Sequence, residues 1–232
     1  MKKSILYFNS LMLVMGWISA NSVQAQEESL SSWDDRYGQY NWQSFKELEE
    51  AHDTLEFDRL DLGLLNAAVF FVSNDVRVQA GKSPLRFSVR LRNMADLHTR
   101  AMAKHAFVSH YNWRNWRIST PDRRNKLFQA NAGAENVASA FLYAYRADEK
   151  YIIKRREGVA YFHRDDTHEE ILRHTYLSFA QELVRRWMGS PGHRENLLHD
   201  RLRRLGCSIR VGEGELEKDE IPLAYCTQEF GW

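Results

Sequence analysis

Two long segments of the chain place apolar residues three or four positions apart, which is the spacing of one helix face. The first segment predicts a helix from about Asp61 to Ala80. Its apolar stripe consists of Leu62, Leu65, Val69, Val72 and Val76. Gly81 favours a helix end there, and Pro84 prevents the helix from continuing. The second segment predicts a helix from Ser88, a preferred N-cap residue, to about His105.

Three more helices are predicted in the second half of the chain from their starting signals. Thr120–Pro121 combines a cap residue with a proline in the first turn. Thr167–Glu170 matches a capping box, so we expect the longest helix to begin there. Its apolar face would carry Leu172, Phe179, Leu183 and Trp187. A short helix is predicted over Ser190–Leu198, with Ser190 as its cap.

Short apolar runs between these helices predict strands and hairpins. The predicted strands are Asn136–Phe141, Tyr151–Ile153, Val159–Phe162, Leu205–Val211 and Ile221–Thr227. Arg156–Gly158 is the expected turn between the second and third of them. Hairpins outnumber crossovers in this order, so the sheet should be mostly antiparallel with helices on its faces, which is an α+β sandwich.

The first 25 residues have the pattern of a cleavable export signal. Lys2 and Lys3 precede the apolar run Ile5–Ala20, and Val23–Ala25 fits a small-residue cleavage site. A membrane anchor is the alternative, but the apolar run is short for a membrane span. We expect cleavage after Ala25, a mature protein that is not integral to the membrane, and a periplasmic or extracellular location.

Residues 26–59 are polar and acidic but rich in aromatic side chains, which disordered segments usually lack. We predict an extension that packs on a domain formed by residues 60–232, with a short helix near Trp42–Ala51. Loss of the signal removes two of the 32 basic residues and leaves all 31 acidic ones. This near-neutral balance gives no argument for a nucleic-acid partner.

The two cysteines, Cys207 and Cys226, both lie in the strand-like runs near the end of the chain. Export leads to an oxidising compartment, so we expect a structural disulfide between them. The alternative is two buried free thiols, since free cysteine packs as a small apolar side chain.

Three residues are the main candidates for chemistry. His110 lies in a loop, Glu135 follows two small residues, and His193 lies in the first turn of a short helix. The positive end of that helix favours a neutral imidazole, which binds metals or accepts protons. Two imidazoles and a carboxylate suit zinc or general acid–base chemistry. Their wide spacing does not force convergence, so a solvated histidine and a turn-stabilising glutamate remain alternatives.

A basic and aromatic segment follows His110. It contains Trp113, Arg114, Trp116, Arg117, Arg123, Arg124 and Lys126. One interpretation is a site for an anionic partner, such as a phosphate headgroup or a cell-envelope polymer. The simpler interpretation, which we favour from sequence, is a solvated loop and helix face.

Several of these segments, taken in order, resemble the CAP superfamily of cysteine-rich secretory, antigen 5 and pathogenesis-related proteins. The likeness is closest to the bacterial SCP-like secreted branch and covers about Leu60 to Trp232. The matching segments are Asn74 and Arg77, Gly81–Leu85, Leu91, Ala95 and Met102, Ser109–His110, Gly133–Ala138, Trp187–Asn196, Leu205–Gly206 and Tyr225–Gly231. Each segment alone is weak, but their shared order is specific.

The resemblance implies an α-β-α sandwich whose cleft holds two histidines and two glutamates, which bind a divalent metal in some members. His110 and Glu135 match the first of each, whereas Ser190 and Tyr225 stand where the second glutamate and histidine would be. We therefore hypothesise that His193 supplies the second imidazole for Zn²⁺ or another divalent cation, with weakened affinity. The residues expected to support the cleft are Trp187, Ser190, Asn196, Tyr225 and Gln228.

Family roles include sterol and lipid binding, signalling and proteolysis, so membership alone does not settle the function. Our leading hypothesis is a non-catalytic binding protein for a lipid or a cell-envelope ligand. A metal-assisted hydrolase is the second hypothesis, and a purely structural envelope protein is the third. Residues 145–164 resemble an insertion, which we expect at one rim of the cleft.

Overall fold

The computed structural model describes residue 30 and residues 32–157, 159–216 and 219–232. The predicted export signal lies outside these described residues. Among them, no helix is both long enough and apolar enough to cross a membrane.

The elements that lie wholly within the described ranges are the following helices and strands. The helices are α1 (Trp42–Lys46), α2 (Leu62–Gln79), α3 (Val89–His105), α4 (Pro121–Phe128), α5 (Tyr176–Gly189) and α6 (Pro191–Leu198). The strands are β1 (Arg86–Phe87), β2 (Ala132–Phe141), β3 (Tyr151–Arg156), β4 (Val159–Arg164), β5 (Arg204–Val211) and β6 (Leu223–Gly231). Short 3₁₀ turns occupy Glu49–His52, Phe57–Arg59 and Trp116–Ile118.

The central sheet has the strand order β1-β5-β6-β2. Strand β6 is antiparallel to both β5 and β2, whereas the short β1 runs parallel to β5. Side chains alternate across β5: Cys207 and Ile209 join the apolar cluster that contains α2, whereas Ser208 and Arg210 bond Asp96 of α3. Helices therefore cover both faces, and the predicted α-β-α sandwich is confirmed.

Two buried polar side chains of α2 hold the chain that follows it. Asn74 exchanges two hydrogen bonds with the backbone of Leu85, at 2.7 and 3.0 Å. The buried guanidinium of Arg77 donates to the carbonyl oxygens of Ser83 and Leu197. These bonds tie α2 to the approach to β1 and to the end of α6, because buried donors and acceptors need partners.

The predicted start of the longest helix is wrong. Helix α5 begins only at Tyr176, where Thr175 and Ser178 form the capping box, and α2 is longer, with 18 residues against 14. The backbone around residues 169–171 instead bonds to β4, including Ile171 to the carbonyl of Phe162 at 2.8 Å. Leu172, expected on the apolar face, is 64% exposed. Pairing with a strand has overridden the local helix signal.

The expected disulfide is not confirmed, since both cysteines are free and buried. Strands β5 and β6 do pair as predicted, but Cys207 lies opposite Gln228 and Cys226 lies opposite Ile209. Diagonal positions of this kind have Cα atoms about 7–8 Å apart, beyond the usual span of a disulfide. Burial raises the pKa of both thiols.

The described part of the N-terminal extension packs against the domain. Trp33, Tyr37 and Phe45 are buried in the main apolar cluster with residues of α2. Tyr37 stacks on Phe87 with 3.7 Å between ring centroids, and Asp34 forms an ion pair with Arg92 of α3 at 2.7 Å. Such aromatic contacts explain why this polar segment is ordered.

We predict that Gly206→Ala destabilises the domain by about 1–3 kcal/mol or more. A Cβ at Gly206 would lie 2.1 Å from the backbone nitrogen of Arg92, so α3 would have to move off β5. Gly189→Ala is the matched control, since its Cβ would meet nothing within 4 Å. Urea denaturation measures both variants, and equal midpoints would contradict the prediction.

Candidate functional site

His110 and Glu135 meet at the edge of the central sheet. Helix α3 ends at Ala106 in a left-handed conformation, and the following loop carries His110 towards β2, the edge strand. His110 Nδ1 lies 2.8 Å from Glu135 Oε1. The imidazole is about half exposed, whereas the carboxylate is buried. The structure thus brings together two of the three predicted site residues.

Arg124 of α4 completes this contact from the inside. Its Nη2 donates to Glu135 Oε2 at 2.5 Å, and its two Nη atoms donate to the carbonyl oxygens of His110 and Ile118, both at 3.1 Å. The interpretation of Arg124 as part of a solvated face is therefore wrong, because the side chain is fully buried. One guanidinium both neutralises the carboxylate and holds the loop.

Glu229 is a second carboxyl at the same place. It lies directly opposite Glu135 in the β2–β6 register and is 1% exposed. Burial, and then repulsion from Glu135, raise the pKa of Glu229 well above its usual value. Burial alone would also raise the pKa of Glu135, but hydrogen bonds from His110 and Glu229 and the charge of Arg124 lower it to about 2. The pair therefore holds one carboxylate beside one neutral acid.

A chain of side-chain amides fixes the backbone that carries Glu135. Gln228 donates to Ser73 Oγ at 2.7 Å, and its amide oxygen accepts from Asn136 at 3.2 Å. Asn196 of α6 donates to Asn136 Oδ1 at 2.9 Å and to the carbonyl of Glu135 at 3.2 Å. Asn196 and Gln228, which the sequence analysis predicted as cleft-supporting residues, both belong to this chain of hydrogen bonds.

The remaining predicted site residues have different roles. The backbone carbonyl of His193 accepts a hydrogen bond from the side chain of Asn136 at 3.2 Å. Burial, and then the charge of His110, lower the pKa of the His193 imidazole. Ser190 stands at the N-cap of α6, but its side chain makes no capping hydrogen bond. Trp187 and Tyr225 are buried, Tyr225 in a small apolar cluster beneath α3.

A cavity of about 300 Å³ opens beside the carboxyl pair. It is lined by Met94, His110, Tyr111, Pro121, Asp122, Asn125, Ala132, Gly133, Ala134, Glu135 and Glu229. The hairpin β3–β4, which forms most of the predicted insertion, belongs to a separate two-stranded sheet. Its described residues do not line this cavity, so the rim is formed by the loop after α3 and by α4.

The side chains around Glu135 leave little room for a resident metal ion to be coordinated. Both oxygens of Glu135 are already bonded, one to His110 and one to Arg124. Within the part of the chain that the structure describes, no group of three or more His, Cys, Asp or Glu side chains is arranged to hold a metal. These residues do not fit a metal ion in this arrangement, and the three-residue metal site with His193 stays a prediction.

The arrangement has a defined acid–base character. The ionised carboxylate of Glu135 favours a proton on His110 Nδ1, which leaves Nε2 as the nitrogen available to a ligand. This contact raises the pKa of His110, although burial and Arg124 oppose it. Among the described residues, no serine, threonine or cysteine side chain is hydrogen-bonded to this imidazole.

Sequence reasoning missed Arg124 and Glu229 as site residues. Arg123 and Arg124 are adjacent on an eight-residue helix, and the local sequence carries no signal for which of them is buried. Only the tertiary contact with Glu135 distinguishes Arg124. Alternate side chains of a strand lie on the same face, so the sequence does indicate that Glu229 and Tyr225 share one face of β6. The pairing with Glu135 required the β2–β6 register.

One family model matches more than half of the chain. The model of the cysteine-rich secretory protein family, CAP, matches residues 71–230. An extracellular protein containing a SCP domain from Bacillus anthracis is 16% identical, with 78% of this chain and 45% of that chain covered and a TM-score of 0.47. The chain therefore spans less than half of that protein.

Two further solved structures are similar at lower scores. An outer surface protein from Borrelia burgdorferi is 11% identical, with 70% of this chain and 89% of that chain covered and a TM-score of 0.43. The CAP domain of enterococcal PrgA is 16% identical, with 82% and 69% covered and a TM-score of 0.40. No curated protein matches the chain.

We expect Glu229→Gln to leave the domain as stable as, or more stable than, the wild type near neutral pH. Folded Glu229 keeps its proton above the pH at which the unfolded chain loses it, so this residue makes the free energy of unfolding fall as pH rises. Glutamine keeps the shape and removes that slope. Urea denaturation from about pH 5 to about pH 8 tests this.

Glu195→Gln, on the exposed side of α6, controls for the loss of a carboxylate. An unchanged pH slope in Glu229→Gln, together with lower stability, would show that Glu229 is ionised in the folded chain.

Glu135→Gln should lower the pKa of His110. In the wild type the carboxylate stabilises the imidazolium, so this stabilisation is complete below about pH 6.5 and is lost as pH rises through the raised pKa. With glutamine, only burial and the charge of Arg124 remain, and both disfavour the imidazolium. An NMR titration of the His110 ring measures the change, and Glu182→Gln, whose carboxylate acts on His174, is the control.

Proposed function

The chain belongs to the cysteine-rich secretory protein family, CAP, and from this membership we propose an exported, non-catalytic protein that binds a lipid or another cell-envelope ligand at His110. The export-signal pattern of residues 1–25 supports this location. Two similar structures, described as an extracellular protein and an outer surface protein, come from the same environment.

The observation that carries this proposal is the cavity beside His110 and its wall of fixed polar groups. Its volume of about 300 Å³ is at the small end of ligand pockets, which suits a headgroup or a single ring better than a long chain. His110 Nε2 is the nitrogen left to contact a ligand. Because Glu135 is held by two partners, the imidazole is oriented before a ligand arrives, which lowers the entropic cost of binding.

Binding is favoured over catalysis by what surrounds the imidazole. Hydrolysis by a covalent route needs a nucleophile within hydrogen-bond reach of the base. The described residues provide no such hydroxyl or thiol at His110, and the carboxyl pair does not fit a metal ion. The same groups are sufficient to hold a polar ligand.

Hydrolysis with His110 as a general base is the second candidate. One observation favours it: the Glu135 carboxylate at 2.8 Å orients the imidazole as carboxylates do in known acid–base sites. Water would then have to be the nucleophile, activated at Nε2. This candidate requires ligand turnover, whereas the binding proposal requires that the ligand is retained intact.

Native mass spectrometry of the exported chain, after incubation with a lipid extract of the cell envelope, tests the proposal. We expect an adduct of intact lipid mass that is lost in His110→Ala and kept in His105→Ala, an exposed histidine at the end of α3. His110→Gln keeps more of the local packing and guards against a folding defect.

The other outcomes of this experiment are also informative. No adduct on the wild type, or an equal adduct on His110→Ala, would contradict the proposal. Products of a cleaved ligand would support hydrolysis instead. A zinc-sized mass that disappears in His193→Ala would restore the metal hypothesis.

A further inference from the structure

An exposed surface next to the cavity combines two tryptophans with four cations. We define the Trp–Arg surface by Trp113, Arg114, Trp116, Arg117, Arg123 and Lys126, all of which are exposed. Tyr111, which lines the cavity, and Leu127 flank it and are also exposed. The surface therefore continues directly into the rim of the site.

The exposure of the two tryptophans is high for this protein. Trp113 is 67% exposed and Trp116 is 70% exposed, whereas Trp33 and Trp187 are buried in the core. A single exposed apolar residue needs no explanation, but a cluster of large ones marks an interaction surface. Tryptophan is among the side chains that gain the most free energy on leaving water, yet both of these tryptophans remain exposed in the folded protein.

The loop that carries these tryptophans is fixed in position. Asn112 is buried, and its backbone N–H donates to the carbonyl of Ser119 at 2.9 Å. Its side-chain oxygen accepts a hydrogen bond from the backbone N–H of Arg114 at 3.1 Å. Buried Arg124 holds the loop at His110 and Ile118. These hydrogen bonds therefore hold the loop, and the two tryptophans on it, in a defined position.

The cations of this surface have no counterions within the described protein. Arg114, Arg117, Arg123 and Lys126 make no salt bridge with a described carboxylate, and the segment 111–127 contains one acid, Asp122. The guanidinium groups of Arg117 and Arg123 lie 5.7 and 5.6 Å from the centre of the Trp116 ring. Positive charge and aromatic area thus occupy the same patch.

We propose that the Trp–Arg surface docks on a lipid bilayer that contains anionic headgroups. Arginine and lysine side chains meet the headgroup charges, and tryptophan and tyrosine rings take the interfacial position that they prefer in membranes. A soluble anionic polymer would satisfy the cations but would leave the rings and Leu127 in water. The mixture of both residue types therefore favours a bilayer.

Docking in this way would place the mouth of the cavity at the membrane interface. Tyr111 and Asp122 contribute to the cavity wall and adjoin the surface in sequence. The inference deepens the proposed function and rests on it only for the role of the cavity. Vesicle binding by the surface does not require His110.

Co-sedimentation of the exported chain with vesicles is the test. We expect binding to phosphatidylcholine vesicles that contain phosphatidylglycerol and little binding to pure phosphatidylcholine. The double substitution Arg117→Gln and Arg123→Gln should weaken partitioning by roughly 25-fold, since each cation contributes about fivefold. Trp113→Ser with Trp116→Ser should weaken it as well and reduce quenching of tryptophan fluorescence by brominated lipid.

Matched controls separate this surface from general electrostatics and from the cavity. Arg146→Gln with Arg185→Gln removes the same charge from distant exposed positions and should leave binding unchanged. His110→Ala should keep vesicle binding even if it loses the ligand. Trp116→Gln alone, whose ring contacts are with Arg117 and Arg123, tests the aromatic contribution with little risk to folding.

Three results would overturn the proposal. The first is no binding to anionic vesicles. The second is equal loss in the Arg146 and Arg185 control. The third is binding to polyphosphate that survives the tryptophan substitutions while vesicles are not bound, because that would identify an anionic polymer as the partner.

Discussion

The buried carboxylate of Glu135 is the constraint on which the site depends. A buried charge without partners is costly, and removing one partner of a buried pair typically costs about 3–5 kcal/mol. Glu135 has Arg124 on one oxygen and His110 on the other, with the neutral acid of Glu229 beside it. Because Arg124 also holds the backbone at both ends of the loop after α3, the same interaction that satisfies the charge builds the rim of the cavity.

The sheet register makes this arrangement possible. Glu135 and Glu229 face each other only because β2 and β6 pair in the observed register, and a slip of β6 by one residue would turn Glu229 to the opposite face of the sheet. The amide chain from Gln228 through Asn136 to Asn196 anchors that register from the other side of the sheet, where α6 packs. The edge strand β2 is thus held by polar contacts on both of its faces.

The cavity beside His110 and the Trp–Arg surface are built from the same structural part. Both use the loop after α3 and helix α4, and both depend on Arg124, which lies behind the loop and is not exposed. A protein organised in this way presents a small polar pocket beside an aromatic and cationic surface. That combination suits a ligand whose polar group lies at an interface, and it connects the proposed binding function with the proposed membrane contact.

Local patterns in the sequence determined α2, α3, α4 and α6, their caps and the mostly antiparallel sheet, because apolar periodicity and cap chemistry act within a few residues. The motif around His110 and Glu135 also identified two residues that do meet. Tertiary structure decided the rest. Strand pairing moved the start of α5 from Thr167 to Tyr176, and the β5–β6 register separated Cys207 from Cys226. The burial of Arg124 and the pairing of Glu229 were likewise invisible locally, since both depend on a single carboxylate brought close by the folded sheet.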